Sequence, residues 1–120
     1  EHLPALWKRR KHIIHNRNIT LVRATADEMV RAAGFLAQKV NKAIGQVRIL
    51  IPLRGFSEPN AAGKPFYDPE ADREFIRALK QNVRQGVEIF EMDAHINDDA
   101  FVSEAVHQML DMLEKDHRRP

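Results

Sequence analysis

Residues Val47 to Leu53 form a run that is apolar apart from Arg48 and Pro52, bounded by Gly45 and Gly55. It stands between two stretches whose apolar residues return every three or four positions. A short apolar run with glycine on both sides suits a strand covered on both faces, as in parallel sheets. The flanking periods are those of helices packed against such a sheet. Before the run, Thr25-Ala26-Asp27-Glu28 spells a capping box: the Thr25 hydroxyl can accept from the Glu28 amide while the Glu28 carboxylate reaches back to the Thr25 amide. Met29, Val30, Ala33, Leu36, Ala37, Val40 and Ile44 follow as one stripe, with Gly45 expected as a left-handed stop. After the run, Asp68-Pro69 reads as an N-cap with proline in the first helical position, and Phe75, Ile76, Leu79 and Val83 define a second helix over 69–84, closed by Gly86.

The alternation then repeats. Val87 to Met92 is a further strand, the polar turn Asp93 to Asp98 follows, and a third helical stripe holds Phe101, Val102, Ala105, Val106, Met109, Leu110 and Leu113. Ahead of the capping box, His12–His15 and Ile19–Val22 are strand candidates separated by the turn-forming Asn16-Arg17-Asn18. Strand, helix, strand, helix, strand, helix predicts right-handed βαβ units. The expected fold is α/β: a Rossmann-like three-layer domain over 19–116 with a small, mostly parallel sheet of three or four strands. An irregular lead-in and short strand occupy 1–18, and a basic tail occupies 117–120. So small a sheet has hydrophobic edges, so another segment of a larger two-domain protein, or a second copy in a homodimer, is expected to cover one. Glu1 in place of Met agrees with a fragment of a longer parent.

Composition narrows the function classes. The 120 residues are 43% hydrophobic and 30% charged, as in ordinary globular domains. No apolar run approaches the roughly 18 residues of a spanning helix, and no secretory leader opens the chain, so no membrane partner is expected and the cytoplasm is the default compartment. Zero cysteines removes disulfides, thiolate zinc sites and a cysteine nucleophile. The net charge of +2 is unevenly placed: residues 1–23 carry 6 basic and 1 acidic side chains, residues 24–116 carry 11 and 16, and 117–120 carry 2 and 0. An acidic body with basic ends is the reverse of a phosphate-gripping face, so no nucleic-acid partner is expected. Lys8-Arg9-Arg10-Lys11 reads as a solvated linker or as a face against a missing part of the parent.

In open parallel sheets, ligands bind beyond the carboxyl ends of the strands. Those ends carry Arg23 and Thr25, then Arg54, Gly55 and Ser57, then Asp93, His95, Asn97 and Asp98. Two arginines beside helix N-termini would suit a small anion, phosphate or carboxylate, with His95 and Asp93 orienting it or transferring a proton. Each also has a structural reading: the arginines could satisfy carbonyls or pair with Asp93, Asn97 and Asp98 are good N-caps, and a lone histidine is often structural. Phe56, Phe66 and Tyr67 could form a lid or simply anchor the long loop 54–67. A metal reading from His12, His15, Asp93 and His95 fails on geometry, because His12 and His15 would face opposite sides of a strand. No metal site is expected. Ser57 lacks a nucleophile elbow, and neither G-x-x-x-x-G-K-[ST] nor G-x-G-x-x-G occurs, so no nucleotide motif lies on this chain.

Three stretches together resemble a known family: His15-Asn16 with Thr20-Leu21-Val22-Arg23-Ala24-Thr25, then Ile51-Pro52-Leu53-Arg54-Gly55-Phe56-Ser57 with Pro65-Phe66-Tyr67-Asp68-Pro69-Glu70-Ala71-Asp72, and Asp93-Ala94-His95-Ile96-Asn97-Asp98. They are similar to the C-terminal part of the tomato mosaic virus resistance protein-like family, from about His12 to Leu113. The resemblance implies a two-domain α/β parent whose ATP site lies on the N-terminal domain and not on this chain. Its characteristic motifs fall on Arg23, Thr25, Arg54, Gly55, Ser57, Asp93, His95 and Asn97. Arg17 stands where many relatives carry proline after His-Asn.

Overall fold

The structure, a computed structural model, describes residues 4–117. Parts of the predicted lead-in (1–3) and basic tail (118–120) lie outside the described residues. A four-residue helix, α1 (Ala5–Lys8), precedes two strands, β1 (His12–Asn16) and β2 (Ile19–Val22). The chain continues through α2 (Ala26–Asn41), β3 (Arg48–Pro52), α3 (Pro69–Asn82), β4 (Glu88–Met92) and α4 (Asp99–His117).

The mixed α/β architecture agrees with the expectation; the single three- or four-stranded sheet does not. Among the described residues there are two sheets of two strands each. β1 and β2 pair antiparallel, with His12 opposite Val22 and Ile14 opposite Thr20. The turn decides this: Asn16 Oδ1 accepts from the amides of Asn18 and Ile19 at 2.8 and 2.9 Å, and so short a link can only close a hairpin. β2 is therefore not a neighbour of β3, and Arg23 and Thr25 do not stand on the same sheet edge as Arg54 and Asp93. β3 and β4 are parallel, from Arg48 opposite Glu88 to Pro52 opposite Met92, as the βαβ reading requires.

The helices start where their caps place them. The Thr25 hydroxyl accepts from the Glu28 amide at 3.2 Å and Glu28 Oε1 from the Thr25 amide at 2.9 Å. Asp68 Oδ1 accepts from the Ala71 amide at 3.2 Å, with Pro69 in the first turn of α3. The expected stop at Gly45 is corrected: α2 ends at Asn41, and Gly45 is not among the glycines with positive φ. Asn41 turns its side chain to α3 instead, donating to Asn82 O and accepting from the Arg84 amide. Ile44, counted in the stripe, lies beyond the helix and is fully exposed.

Helices α2 and α3 cover one face of the parallel pair. Ala33, Ala37 and Ala78 let the elements approach closely around Ile51, Ile76 and Leu79, with Ile49 and Ile89 packed alongside. α4 lies against the other face, making three layers: Leu50 and Phe90 of the strands and Ala105, Met109 and Met112 of the helix line a cavity of about 150 Å³ between them. Arg48, 7% exposed at its side chain, spans that gap to Gln108 Oε1 and Asp111 Oδ2, both at 2.8 Å. The apolar stripe of α4 is otherwise bare, with Val102, Val106, Leu110 and Leu113 each more than half exposed. The Cα radius of gyration is 17.1 Å, against about 14 Å for a compact domain of this length.

Candidate functional site

At the carboxyl end of β3 and β4 the ladder runs on past the strands. The Leu53 amide donates to Met92 O, the Arg54 amide to Ala94 O, and the Ile96 amide back to Gly55 O, at 2.8, 3.0 and 3.1 Å. This draws the segment after β3 and the segment after β4 side by side. Gly55 is required there: its φ is +134°, and a Cβ would lie 1.7 Å from Asn60 O and 2.9 Å from the His95 ring.

Arg54 grips Asp93 with both arms of its fork, Nε to Oδ1 at 2.7 Å and Nη2 to Oδ2 at 3.0 Å. The pair is solvent-exposed. The hydrogen bonds to Arg54 hold the Asp93 carboxyl below its ordinary range, and the same bonds push the guanidinium up. His95 is occupied on both ring nitrogens. Nε2 lies 2.8 Å from Ser57 O, a carbonyl that can only accept, so the proton sits on Nε2. Nδ1 then accepts from the Asn97 amide at 3.1 Å. Asp98 caps the turn from below, accepting from the His95 amide at 2.9 Å, and Asn97 Nδ2 reaches Glu58 Oε2 at 3.5 Å. His95 is thus a staple between two loops, and Asp93 is turned to Arg54. A cleft of about 450 Å³ remains open here, lined by Leu53, Arg54, Ala61, Ala62, Tyr67, His95 and Asp98.

Arg23 lies elsewhere and is buried. Its Nε donates to Phe66 O at 2.8 Å, Nη1 to Ala24 O at 3.2 Å and Nη2 to Asp72 Oδ1 at 2.7 Å. Asp72 is 5% exposed and its other oxygen accepts from Asn60 Nδ2 at 2.8 Å. Sequence reasoning missed both Asp72 and Asn60. Asp72 carried a signal: with Ile76 and Leu79 it falls on the apolar stripe of α3, and a carboxylate at a core position demands a buried partner. Thr25 is spent on its cap, and the Glu28 carboxylate, also bound by Arg10 at 2.7 Å, fills the N-terminus of α2 where an anion was expected. The capping amide of Thr25 lowers the Glu28 pKa. Among the described residues no group of three His, Asp or Glu side chains could hold a metal ion, and no helix is long and apolar enough to cross a membrane.

Two-stranded parallel pair, crossover helix, covered faces and zipped strand ends define the chain as part of an α/β domain. It belongs to the uncharacterised protein family (UPF0261), matching that family's C-terminal domain over residues 1–113. It is 34% identical over 116 residues to a UPF0261 protein of Clostridium tetani, covering 96% of this chain and 29% of the relative. It is 37% identical over 117 residues to ToMV resistance protein Tm-1(GCR237) of Solanum lycopersicum, covering 94% of this chain and 15% of that protein. A UPF0261 protein of Rhizobium meliloti is 35% identical over 108 residues, 27% of its length. The chain spans less than a third of each of these relatives.

Proposed function

We propose that this chain is a packing part of a larger α/β protein, whose remaining chain covers the bare faces described above and carries whatever nucleotide, ATP included, the parent binds. The observation that carries this reading is the exposed stripe Val102, Val106, Leu110 and Leu113 on α4, on the flank next to the one that docks against the sheet. The strand-end groups support it, since Arg23, His95, Thr25 and Asp98 are each spent on contacts within the chain. Hydrogen exchange on the chain alone and on the longer parent tests it. The α4 amides gain protection in the parent; equal exchange in both would leave the faces uncovered and defeat the reading.

A second reading is favoured by one feature, the open cleft. There Arg54 sits at the mouth with its fork exposed, and a phosphate or carboxylate could take the place of Asp93 with Tyr67 and His95 nearby. A thermal-shift screen against inorganic phosphate, sugar phosphates and small carboxylates, repeated with Arg54→Ala and His95→Ala, separates the two. Saturable stabilisation lost in both variants supports a ligand site on this chain. No shift for any anion supports the packing role, in a homodimer or within one parent chain.

A further inference from the structure

Along α3, Arg73, Arg77 and Lys80 follow one another at steps of four and three residues, which puts all three on one flank of the helix. That flank and the carboxyl-end residues Leu53 and Glu91 border a cleft of about 410 Å³, completed by Ile76. The size is that of a small-molecule site, roughly 300–1,000 Å³. Leu53, 44% exposed, and Ile76, a member of the core cluster, supply its apolar part. Three cations against one carboxylate leave the lining at +2, within a body, residues 24–116, that carries 11 basic and 16 acidic side chains. Positive charge is thus concentrated here against the balance of the domain around it. Two of the cations have partners: Lys80 pairs with Glu91 of β4, and Arg77 with Glu74 at 2.8 Å. Both pairs lie at the surface, where such a contact is worth about 1 kcal/mol or less and yields readily to another anion. Arg73 is exposed and makes no hydrogen bond or ion pair among the described residues, so its fork is free.

We propose that this cleft binds an organic phosphate monoester with a compact apolar body. The phosphate oxygens accept from Arg73, Arg77 and Lys80, and the apolar body covers Leu53 and Ile76. A phosphate monoester carries about −1.5 to −2 charges at neutral pH, which matches the +2 of the lining, and guanidinium forks take its oxygens in pairs. The site is independent of both functional readings above, since it uses neither the bare flank of α4 nor Arg54 and shares only Leu53 with the strand-end cleft.

The test titrates phenyl phosphate into the isotopically labelled full chain by NMR, with inorganic phosphate as the head alone and benzyl alcohol as the apolar body alone. Saturable shifts of the Leu53 and Ile76 methyl groups are expected with phenyl phosphate, with inorganic phosphate about tenfold weaker and no saturation by benzyl alcohol. Arg73→Gln with Arg77→Gln, at two exposed positions, weakens phenyl phosphate about tenfold or more, whereas Arg54→Gln leaves it unchanged. The comparison of the three compounds needs no variant, which keeps the test sound if the double variant does not fold. No saturable shift with phenyl phosphate, or equal affinity for inorganic phosphate, overturns the proposal in favour of an ordinary solvated helix face. Binding that survives the double variant and is lost in Arg54→Gln overturns it too, and places the anion in the strand-end cleft.

Discussion

Single residues divide here by whether their charge is buried. Arg23 and Asp72 are 8% and 5% exposed and hold β2, the 60s loop and α3 together, so removing one partner strands the other charge out of water. Arg23→Met is expected to cost about 3–5 kcal/mol in urea unfolding, and Arg23→Met with Asp72→Leu to recover part of that. A double variant no better than the single would mean the pair is not coupled. The Arg54–Asp93 pair is its exposed counterpart and matters for pH more than for stability. Because Arg54 lowers the Asp93 pKa, the pair's contribution is present above the ordinary carboxylate pKa and lost as pH falls through the lowered value. Arg54→Gln should raise the Asp93 carboxyl midpoint in a ¹³C titration; an unmoved midpoint would show that the pair does not form in solution.

Among the elements, what was legible in the sequence was what is decided locally. Thr25, Glu28, Asp68 and Pro69 place two helix starts through contacts three residues long, and the structure keeps them. The pairing of β2 was not legible as part of the larger sheet, because a strand's partner is chosen across the chain. Asn16 held the clue, since its side chain closes the turn that commits β1 and β2 to each other. At the strand ends the sequence pointed to the right neighbourhood for Arg54 and His95 but could not tell a grip from a staple. Nor could it reveal Arg48 as more than an interruption of an apolar run. The latch of Arg48 onto Gln108 and Asp111 ties α4 to the sheet, while its contact with Glu88 joins β3 to β4. Its bond to Arg48 also lowers the Asp111 pKa. Arg48→Met should therefore speed amide exchange along α4 by about tenfold or more while leaving α2 and α3 unchanged. Unchanged α4 exchange would assign its docking to apolar contact alone.

For the whole molecule, the ledger of surfaces points outward. The helix α4 shows a bare apolar flank, α2 exposes Phe35 at 67%, and the hairpin exposes Ile14 at 72%. Large exposed apolar patches on a small globular domain mark contact surfaces or aggregation liabilities. Leu110→Glu, at a position 60% exposed, is expected to leave the isolated chain's helix content intact and to reduce its self-association in sedimentation. In the longer parent the same change should lower thermal stability by several degrees, because the glutamate would be buried there. A parent indifferent to it would show that this flank faces solvent in the assembled protein.

Strands β3 and β4 meet at a constant separation of 40 residues, with α3 inside the span. The β1–β2 hairpin is local and pays little entropy to close, whereas the parallel pair gains nothing until the crossover has brought its ends together. The order of assembly follows: the hairpin and the individual helices can form early, and the parallel ladder comes late. The cleft of Arg54 and His95, built from the segments just past that ladder, is then among the last features to exist as the chain folds.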